Sequence, residues 1–560
     1  MTTLTGVGVS PGIGVGPAYV LSYEAAVPSP EARHGGDAAA ERARAEAALE
    51  RVAADLEERG ARAGGEARDI LDAQAMMARD PGLTAEVARL VDGGTGAARA
   101  IYEAFGRYRE ALAGAGGYLG ERVADLDDVR DRAVAVLEGR PLPGVPVRAA
   151  EPYVLVARDL APADTALLSR DVVAAFVTEQ GGPTSHTAIL ARAMGVPAVV
   201  ACPGATSIAA GTRTLVDGTG GLVRAEPSGS EVAEARAAAA ARQAGLAAAT
   251  GPGATSDGRP VPLLANIGGP RDLAAALEHG AEGVGLYRTE FLFLDRASAP
   301  GEEEQEAAYQ EVLDAFPGGR VVVRTLDAGA DKPLAFLPPQ AEEPNPALGE
   351  RGIRLSRAHP EIMNVQLAAL ARAASRSSAR LQVMAPMVAT AEEAAWFAAA
   401  CAEAGLPSAG VMVEVPSAAL RAADLAAVVD FLSLGTNDLA QYAFAADRQL
   451  GALTALHDPW QPGLLDLVAL AVEGAGEHGT PCGVCGEAAA DPALACVLVG
   501  LGVASLSMSA PALPAVRAVL SRHSREQCVL AARAARAAAS ATEARTAARA
   551  HLPGLAELAL

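Results

Sequence analysis

The chain has 560 residues, 51% of them hydrophobic but only 4% aromatic, and carries a formal net charge of −21. That length implies several domains, and cores built from Ala, Val and Leu favour helices and β/α units over aromatic-rich β sandwiches. The acidic balance argues against nucleic acid or an anionic membrane as partner; it suits a basic protein, or simply a self-repelling surface. No apolar run approaches the ~20 residues that span a bilayer, and the N-terminus lacks the charged and apolar regions of a signal peptide. The six cysteines are too few and too scattered for a disulfide framework, so reduced thiols in the cytoplasm are expected. Cys482-Gly-Val-Cys485 has redox-like spacing, but no second pair accompanies it, as a structural zinc would need.

Residues 1–20 alternate Val and Gly in short strand-like pieces. From Pro30 to about Leu137, Ala, Glu, Arg and Leu recur at helical spacing, broken at Gly64-Gly65, Asp80-Pro-Gly82 and Gly116-Gly117, which predicts an antiparallel helical bundle. Pro141 to Pro146 is a stiff connector. Strands are predicted to return at Tyr153–Ala157, Ala174–Thr178 and Ala198–Val200, alternating with short helices. Between the last two strands stands Gly181-Gly-Pro-Thr-Ser-His-Thr-Ala-Ile-Leu-Ala-Arg192. The glycine pair breaks regular structure, Thr184 or Ser185 can cap a new helix, and His186 falls in its first turn. Backbone N–H groups and the positive end of the helix dipole make such a place receptive to phosphate. A neutral imidazole there can attack phosphorus, with Thr184, Ser185 and Arg192 placed to hold the phosphoryl oxygens.

Residues 229–250 are Ala-rich and helical, a natural linker. Beyond Pro260, strands are predicted near Val261–Ile267, Gly283–Tyr287, Arg320–Leu326, Leu381–Ala385, Gly410–Glu414, Phe431–Gly435, Pro481–Cys485 and Ala504–Met508, most of them separated by helical patterns. Eight such units in about 250 residues is the size of a (β/α)8 barrel, whose active sites sit at the C-terminal ends of the strands. Polar residues collect at those ends. Arg288 and Glu290 follow strand two, Arg324 and Asp327 end strand three, and Lys332, Arg351 and Arg354 lie in the long loop after it. Glu414 ends strand five, Asn437 and Asp438 follow strand six, and Cys485 ends strand seven. Guanidinium forks match carboxylate and phosphate, while Glu414 and Asp438 are hard oxygen donors suited to magnesium. The Ala/Arg-rich tail, 529–550, reads as helical, with no function attached.

The run Gly181 to Arg192 resembles the phosphohistidine segment of phosphoenolpyruvate-dependent phosphotransferases, most closely enzyme I of the bacterial sugar phosphotransferase system. The likeness extends from Gly6-Val-Gly-Val-Ser-Pro-Gly-Ile-Gly14 to about Met508. It implies a multidomain α/β protein. Residues 1–20 plus 145–226 would form a swivelling phosphohistidine domain, and 21–144 an inserted helical subdomain that docks the phosphocarrier protein HPr. A helical linker, 227–258, would lead to a phosphoenolpyruvate-binding TIM barrel, 259–560. His186 would carry the phosphoryl group, with Thr165 orienting its imidazole. Arg288, Arg324, Asn437 and Arg448 would surround substrate, with Lys332 and Arg351 as helpers. Glu414 and Asp438 would hold Mg2+, and Cys485 would protonate the enol carbon as pyruvate forms. Met76 and Met77, in Leu71 to Pro81, would lie near the HPr-docking face, although core packing explains them equally well. The family usually forms a homodimer through its barrel.

The implied cycle is in-line attack by His186 on the phosphorus, with charge on the leaving enolate taken up at the barrel site, followed by transfer to a histidine of HPr. It requires large rigid-body motion about the linker. Two positions depart from the family pattern: Glu350 stands where an aromatic residue is usual, and Ala161 where Thr is common. A dikinase charged by ATP would need a further nucleotide-binding domain for which the first 260 positions leave no room. A non-catalytic regulatory paralogue would not be expected to keep His186, the arginines, both metal ligands and Cys485 together.

Overall fold

The computed structural model describes residues 2–21, 27–63, 65–115, 123–140, 145–146, 149–160, 168–169, 171–182, 186–294, 296–330, 333–337, 343–448, 450–558 and 560. They fall into two compact units, Met1–Ala239 and Ala240–Leu560.

The first unit carries an eight-stranded sheet. Its strands are β1 (Thr3–Thr5), β2 (Val7–Ser10), β3 (Ile13–Leu21), β4 (Tyr153–Ala157), β5 (Val173–Thr178), β6 (Ala198–Val200), β7 (Arg213–Asp217) and β8 (Leu222–Ala225). Their spatial order is β1-β8-β7-β3-β4-β5-β6-β2. The middle four, β3 to β6, run parallel, and the flanking pairings are antiparallel. All of β4 is buried because the sheet is covered on both faces. Leu155 and Ala157 face Ala188 and Ala191 of the helix His186–Met194, while Val154 and Val156 join Val177, Val216 and Val223 on the other side. The three strands expected between residues 153 and 200 are present. β7 and β8, absent from the sequence reading, extend the sheet.

Between the neighbouring strands β3 and β4, the chain forms the helices Ala38–Ala63, Gly65–Ala78, Pro81–Asp92, Ala97–Ala115 and Val123–Leu137. The expected break at Asp80 is a cap: its carboxylate accepts from the Leu83 amide at 2.8 Å, and Pro81 occupies the first turn, where no N–H is needed. Leu49, Val52, Leu56, Leu71, Val87, Ile101, Phe105 and Val129 form the bundle core. Met76 points outward, 68% exposed, whereas Met77 is half-buried. The expected linker is the helix Gly229–Ala247, which buries none of its residues.

All eight expected barrel strands are present in the second unit. They are β9 (Leu263–Ile267), β10 (Gly283–Arg288), β11 (Arg320–Arg324), β12 (Arg380–Ala385), β13 (Ala409–Val413), β14 (Phe431–Leu434), β15 (Cys482–Val484) and β16 (Leu506–Met508). Every pairing is parallel, and β16 closes the barrel onto β9 through Leu506↔Leu263 and Met508↔Ala265. The lumen is filled by Leu286, Val322, Met384, Met412, Phe431 and Cys485, so the barrel is a packed core rather than a pore. The tail is helical as expected, in Arg525–Arg536 and Ala541–Arg549, and Cys528, Ala531, Ala535, Ala544 and Ala548 bury it in the main core. Its close approach depends on Gly500, where a Cβ would lie 2.0 Å from the Cys528 carbonyl oxygen. His523 fastens the end of the chain: Nδ1 lies 2.7 Å from the Val519 carbonyl, and Nε2 accepts from the Gly554 amide at 3.1 Å. Among the described residues no helix is long and apolar enough to cross a membrane.

Candidate active site

The strands of the barrel end in charge. Arg288 is the last residue of β10 and Arg324 the last of β11. Glu414 follows β13 directly, Asn437 and Asp438 open the helix Thr436–Ala443 after β14, and Cys485 follows β15. Arg351 comes in from the loop between β11 and β12, and Arg448 from the segment after Ala443. Every described barrel residue expected to bind substrate or metal therefore stands at the C-terminal mouth.

The mouth is an interlocked charge network. Arg324 pairs with Glu290 and lies 3.3 Å from Asp327. Arg351 makes a forked contact with Asp327, at 2.9 and 3.1 Å, and stands 3.6 Å from Asp438. Arg448 reaches Asp438 from the outer side at 3.2 Å. Burial works against the Arg324 cation, but the charges of Glu290, Asp327, Glu414 and Asp438 outweigh it and raise its pKa. Arg351 and Asp327 are each only 1% exposed, where an unpaired charge would cost several kcal/mol.

Glu414 is fully buried, and burial, reinforced by Asp438 and Asp327, pushes its carboxyl up to about 8. One oxygen accepts from the Met387 amide at 2.6 Å. Met387 holds the left-handed φ of 60° to present that amide, a backbone strain of the kind found at functional sites. The other oxygen of Glu414, and Oδ1 of Asp438, are buried without a hydrogen-bond partner. Two hard, under-satisfied oxygens fit a magnesium ion that takes its remaining ligands from water and substrate. Among the described residues no group of three or more His, Cys, Asp or Glu is assembled to hold a metal by itself.

Cys485 is 2% exposed, and burial pushes its thiol up to about 11, so it stays protonated at neutral pH. Its amide donates to the Leu434 carbonyl at 3.0 Å, and Sγ lies 3.5 Å from the same oxygen. At the next residue, Gly486, a Cβ would stand 1.9 Å from Thr436 Oγ1 and 2.7 Å from the Thr436 amide nitrogen. Glycine is required there for the Cys485 loop to pass the turn that carries Asn437 and Asp438. The Glu487 amide then donates to Asn437 Oδ1 at 3.2 Å.

In the first unit the helix after β5 begins at His186, as the glycine break predicted. Thr165, Thr184 and Ala161, and Lys332 in the barrel, lie outside the described residues, as do the side chains of His186 and Arg192.

Family models match three successive segments of the chain. They describe the N-terminal domain of PEP-utilising enzymes at residues 5–122, their mobile domain at 149–221 and their PEP-binding domain at 243–525. A phosphoenolpyruvate-protein phosphotransferase of Streptomyces coelicolor is 62% identical over 514 residues, covering 91% of this chain and 92% of its own. The chain belongs to the PEP-utilising enzymes. Proteins of the same name from Haloferax volcanii and Bacillus subtilis are 44% and 39% identical; the alignments cover 91% and 92% of this chain, and 92% and 93% of theirs. As expected from the sequence, the activity supported for this member is phosphoenolpyruvate-dependent phosphotransfer.

In this PEP-utilising enzyme the structure adds the internal counterions to the sequence reading. Glu290 and Asp327 were legible as strand-end residues, but not as the partners of Arg324 and Arg351. Tyr442, whose hydroxyl lies 3.4 Å from Arg351, and Met387, which holds Glu414, carried no signal beyond proximity to the motifs. Glu350, the departure from the family pattern, turns its backbone N–H to Glu343 at 3.2 Å, while Arg351 beside it pairs with Asp327 and Asp438.

Proposed function

We propose that the protein takes the phosphoryl group of phosphoenolpyruvate onto His186, releases pyruvate, and passes the group to the phosphocarrier protein HPr. This would be the first general step of the sugar phosphotransferase system. The observation that carries the reading is the convergence of Arg288, Arg324, Arg351, Glu414, Asp438 and Cys485 on one barrel mouth. Substrate carries a carboxylate and a phosphate, and the arginines, with Lys332, Asn437 and Arg448, match both. Because Arg324 and Arg351 are already held by Glu290 and Asp327, they are fixed in position before substrate arrives, and little reorganisation remains for the reaction.

Glu414 and Asp438 would hold Mg2+, which when bound neutralises charge on the substrate oxygens. Cys485, kept as a thiol by its buried setting, would deliver a proton to the enol carbon. His186, at a helix N-terminus, would act as nucleophile, with Thr165, Thr184 and Arg192 orienting the imidazole and its phosphoryl group. The exposed Met76 favours the bundle as the place where HPr docks. We assign 1–20 plus 145–226 to the phosphohistidine domain, 21–144 to the HPr-binding insert, 227–258 to the linker and 259–560 to the barrel. We expect a cytoplasmic homodimer joined through the barrel.

The test is transfer. Incubation with phosphoenolpyruvate, magnesium and a heterologous HPr should yield phosphorylated HPr and an equal amount of pyruvate. Pyruvate without phosphorylated HPr would contradict the proposed acceptor, and neither product would refute the reading.

A further inference from the structure

We propose that the floor of the barrel is a binding site for one small monovalent anion of halide size, held by Arg320 and the polar side chains beside it in the lumen. The inference does not depend on the phosphotransfer reading. The site lies at the N-terminal ends of the strands, away from the substrate mouth.

Arg320 opens β11 and pairs in register with Arg380, which opens β12. Side chains alternate along a strand, and Val322 and Met384 belong to the lumen cluster. Arg320, two residues before Val322, and Arg380, four before Met384, therefore stand on the inward face of adjacent strands. Among the described residues neither makes an ion pair. Arg380, exposed at the rim, donates to the Gly318 carbonyl at 3.2 Å. Arg320 is half-buried, and one of its guanidinium nitrogens is buried without a hydrogen-bond partner. The carboxylate that favours its charge is Glu282, but Oε1 of Glu282 already accepts from the amides of Gly253 and Leu263, at 2.8 and 2.9 Å. A half-buried cation beside a like charge is costly unless an anion joins it.

The lumen supplies room and donors for that anion. Arg320 lines a cavity inside the barrel with Gln382, Ser433 and Ser505, and among the described residues no carboxylate lines it. Space exists because Gly285 and Gly483 also face it: a Cβ on either would come within 2.4 and 2.7 Å of the Ser507 and Ser505 hydroxyl oxygens. Ser507 donates its hydrogen to Asn266, which leaves Ser505 as the nearer donor. Val322 and Phe431, members of the apolar lumen cluster, form the inner wall, while the exposed Pro481 marks the way in from solvent. The inner space takes roughly one occupant the size of a water molecule or a halide, which favours chloride over phosphate. Guanidinium N–H, hydroxyl and amide donors around one small space, with no acidic side chain among them, select an anion rather than a cation.

The test uses chloride and bromide on the whole protein. The melting temperature is followed as chloride replaces gluconate, which is too bulky for the cavity, at constant ionic strength, so that screening does not change. It should rise and saturate, by about 3 °C when chloride reaches roughly ten times its dissociation constant. Arg320→Met should gain nothing from chloride. In gluconate alone that variant should melt no lower than the unaltered protein, because a half-buried cation without a partner has been removed. Bromide, located in crystals of the unaltered protein by its anomalous X-ray scattering, should sit in the cavity beside Arg320; this readout needs no variant. Bromide found only on the outer surface would overturn the site. So would a melting temperature indifferent to chloride, or a rise that Arg320→Met retains in full, which would mark an adventitious ion only.

Discussion

Asp327 is the keystone of the charge network, and Asp327→Asn tests that directly. The carboxylate lies 2.9 and 3.1 Å from Arg351 Nη2 and 3.3 Å from Arg324 Nη1, with both Asp327 and Arg351 1% exposed. The amide keeps the volume but removes the charge, taking from the buried Arg351 the carboxylate it holds most closely among the described residues and leaving Asp438 at 3.6 Å. Breaking a buried pair from one side costs about 3–5 kcal/mol, because the other charge stays desolvated. For a domain the size of the barrel, each kcal/mol moves the melting temperature by about 2 °C, so a fall of roughly 6–10 °C is expected. Calorimetry of the variant, with and without phosphoenolpyruvate, is the assay. Substrate supplies anionic groups, so it should recover more of the lost stability in the variant than it adds to the unaltered protein. A melting temperature within 1 °C of the unaltered protein would refute the view that Asp327 holds the arginines in place.

Three further outcomes are expected. Gly486→Ala drives a Cβ to 2.7 Å from the Thr436 amide, so the turn carrying Asn437 and Asp438 must move; kcat/KM should fall on the order of 100-fold, and an unchanged value would refute the packing argument. Cys485→Ala should slow pyruvate formation while sparing phosphate exchange between His186 and HPr, and equal loss in both assays would remove its role as acid. Burial pushes Cys202 and Cys485 up to about 11, and Cys401 and Cys482 up to about 12. Unfolded thiols ionise from about 8.5, well before the native ones, so stability held below that pH should be lost as pH rises towards 11. The urea midpoint should therefore drop between pH 9 and 11, and a flat midpoint would contradict the burial of these thiols.

The barrel was legible because parallel strands covered on both faces read as short apolar runs, and each run stops at a polar residue that belongs to the mouth. Val411, Met412 and Val413 ending at Glu414 show the pattern. β7 and β8 were missed because their short Thr-, Arg- and Asp-containing runs resemble loops until their antiparallel partners are known. Asp80 and Pro81 announced a helix start through local chemistry alone, whereas the pairing of Arg324 with Glu290 joins the end of β11 to the turn after β10, which meet only once the two strands pair. Met387 is the same case in the backbone: no residue type announces a left-handed methionine, since the strain is imposed by the Glu414 it serves. The Ala/Arg-rich tail read as helical, but its burial follows from Gly500 admitting the helix that carries Cys528, a contact invisible to periodicity.

The central claim is that His186 carries the phosphoryl group, and mapping the label tests it most directly. After incubation with magnesium and phosphoenolpyruvate labelled in its phosphoryl group, the protein should hold one acid-labile phosphoryl group, located by mass spectrometry in the peptide containing His186, and His186→Ala should take up none. Label on another residue, or undiminished labelling of His186→Ala, would contradict the account.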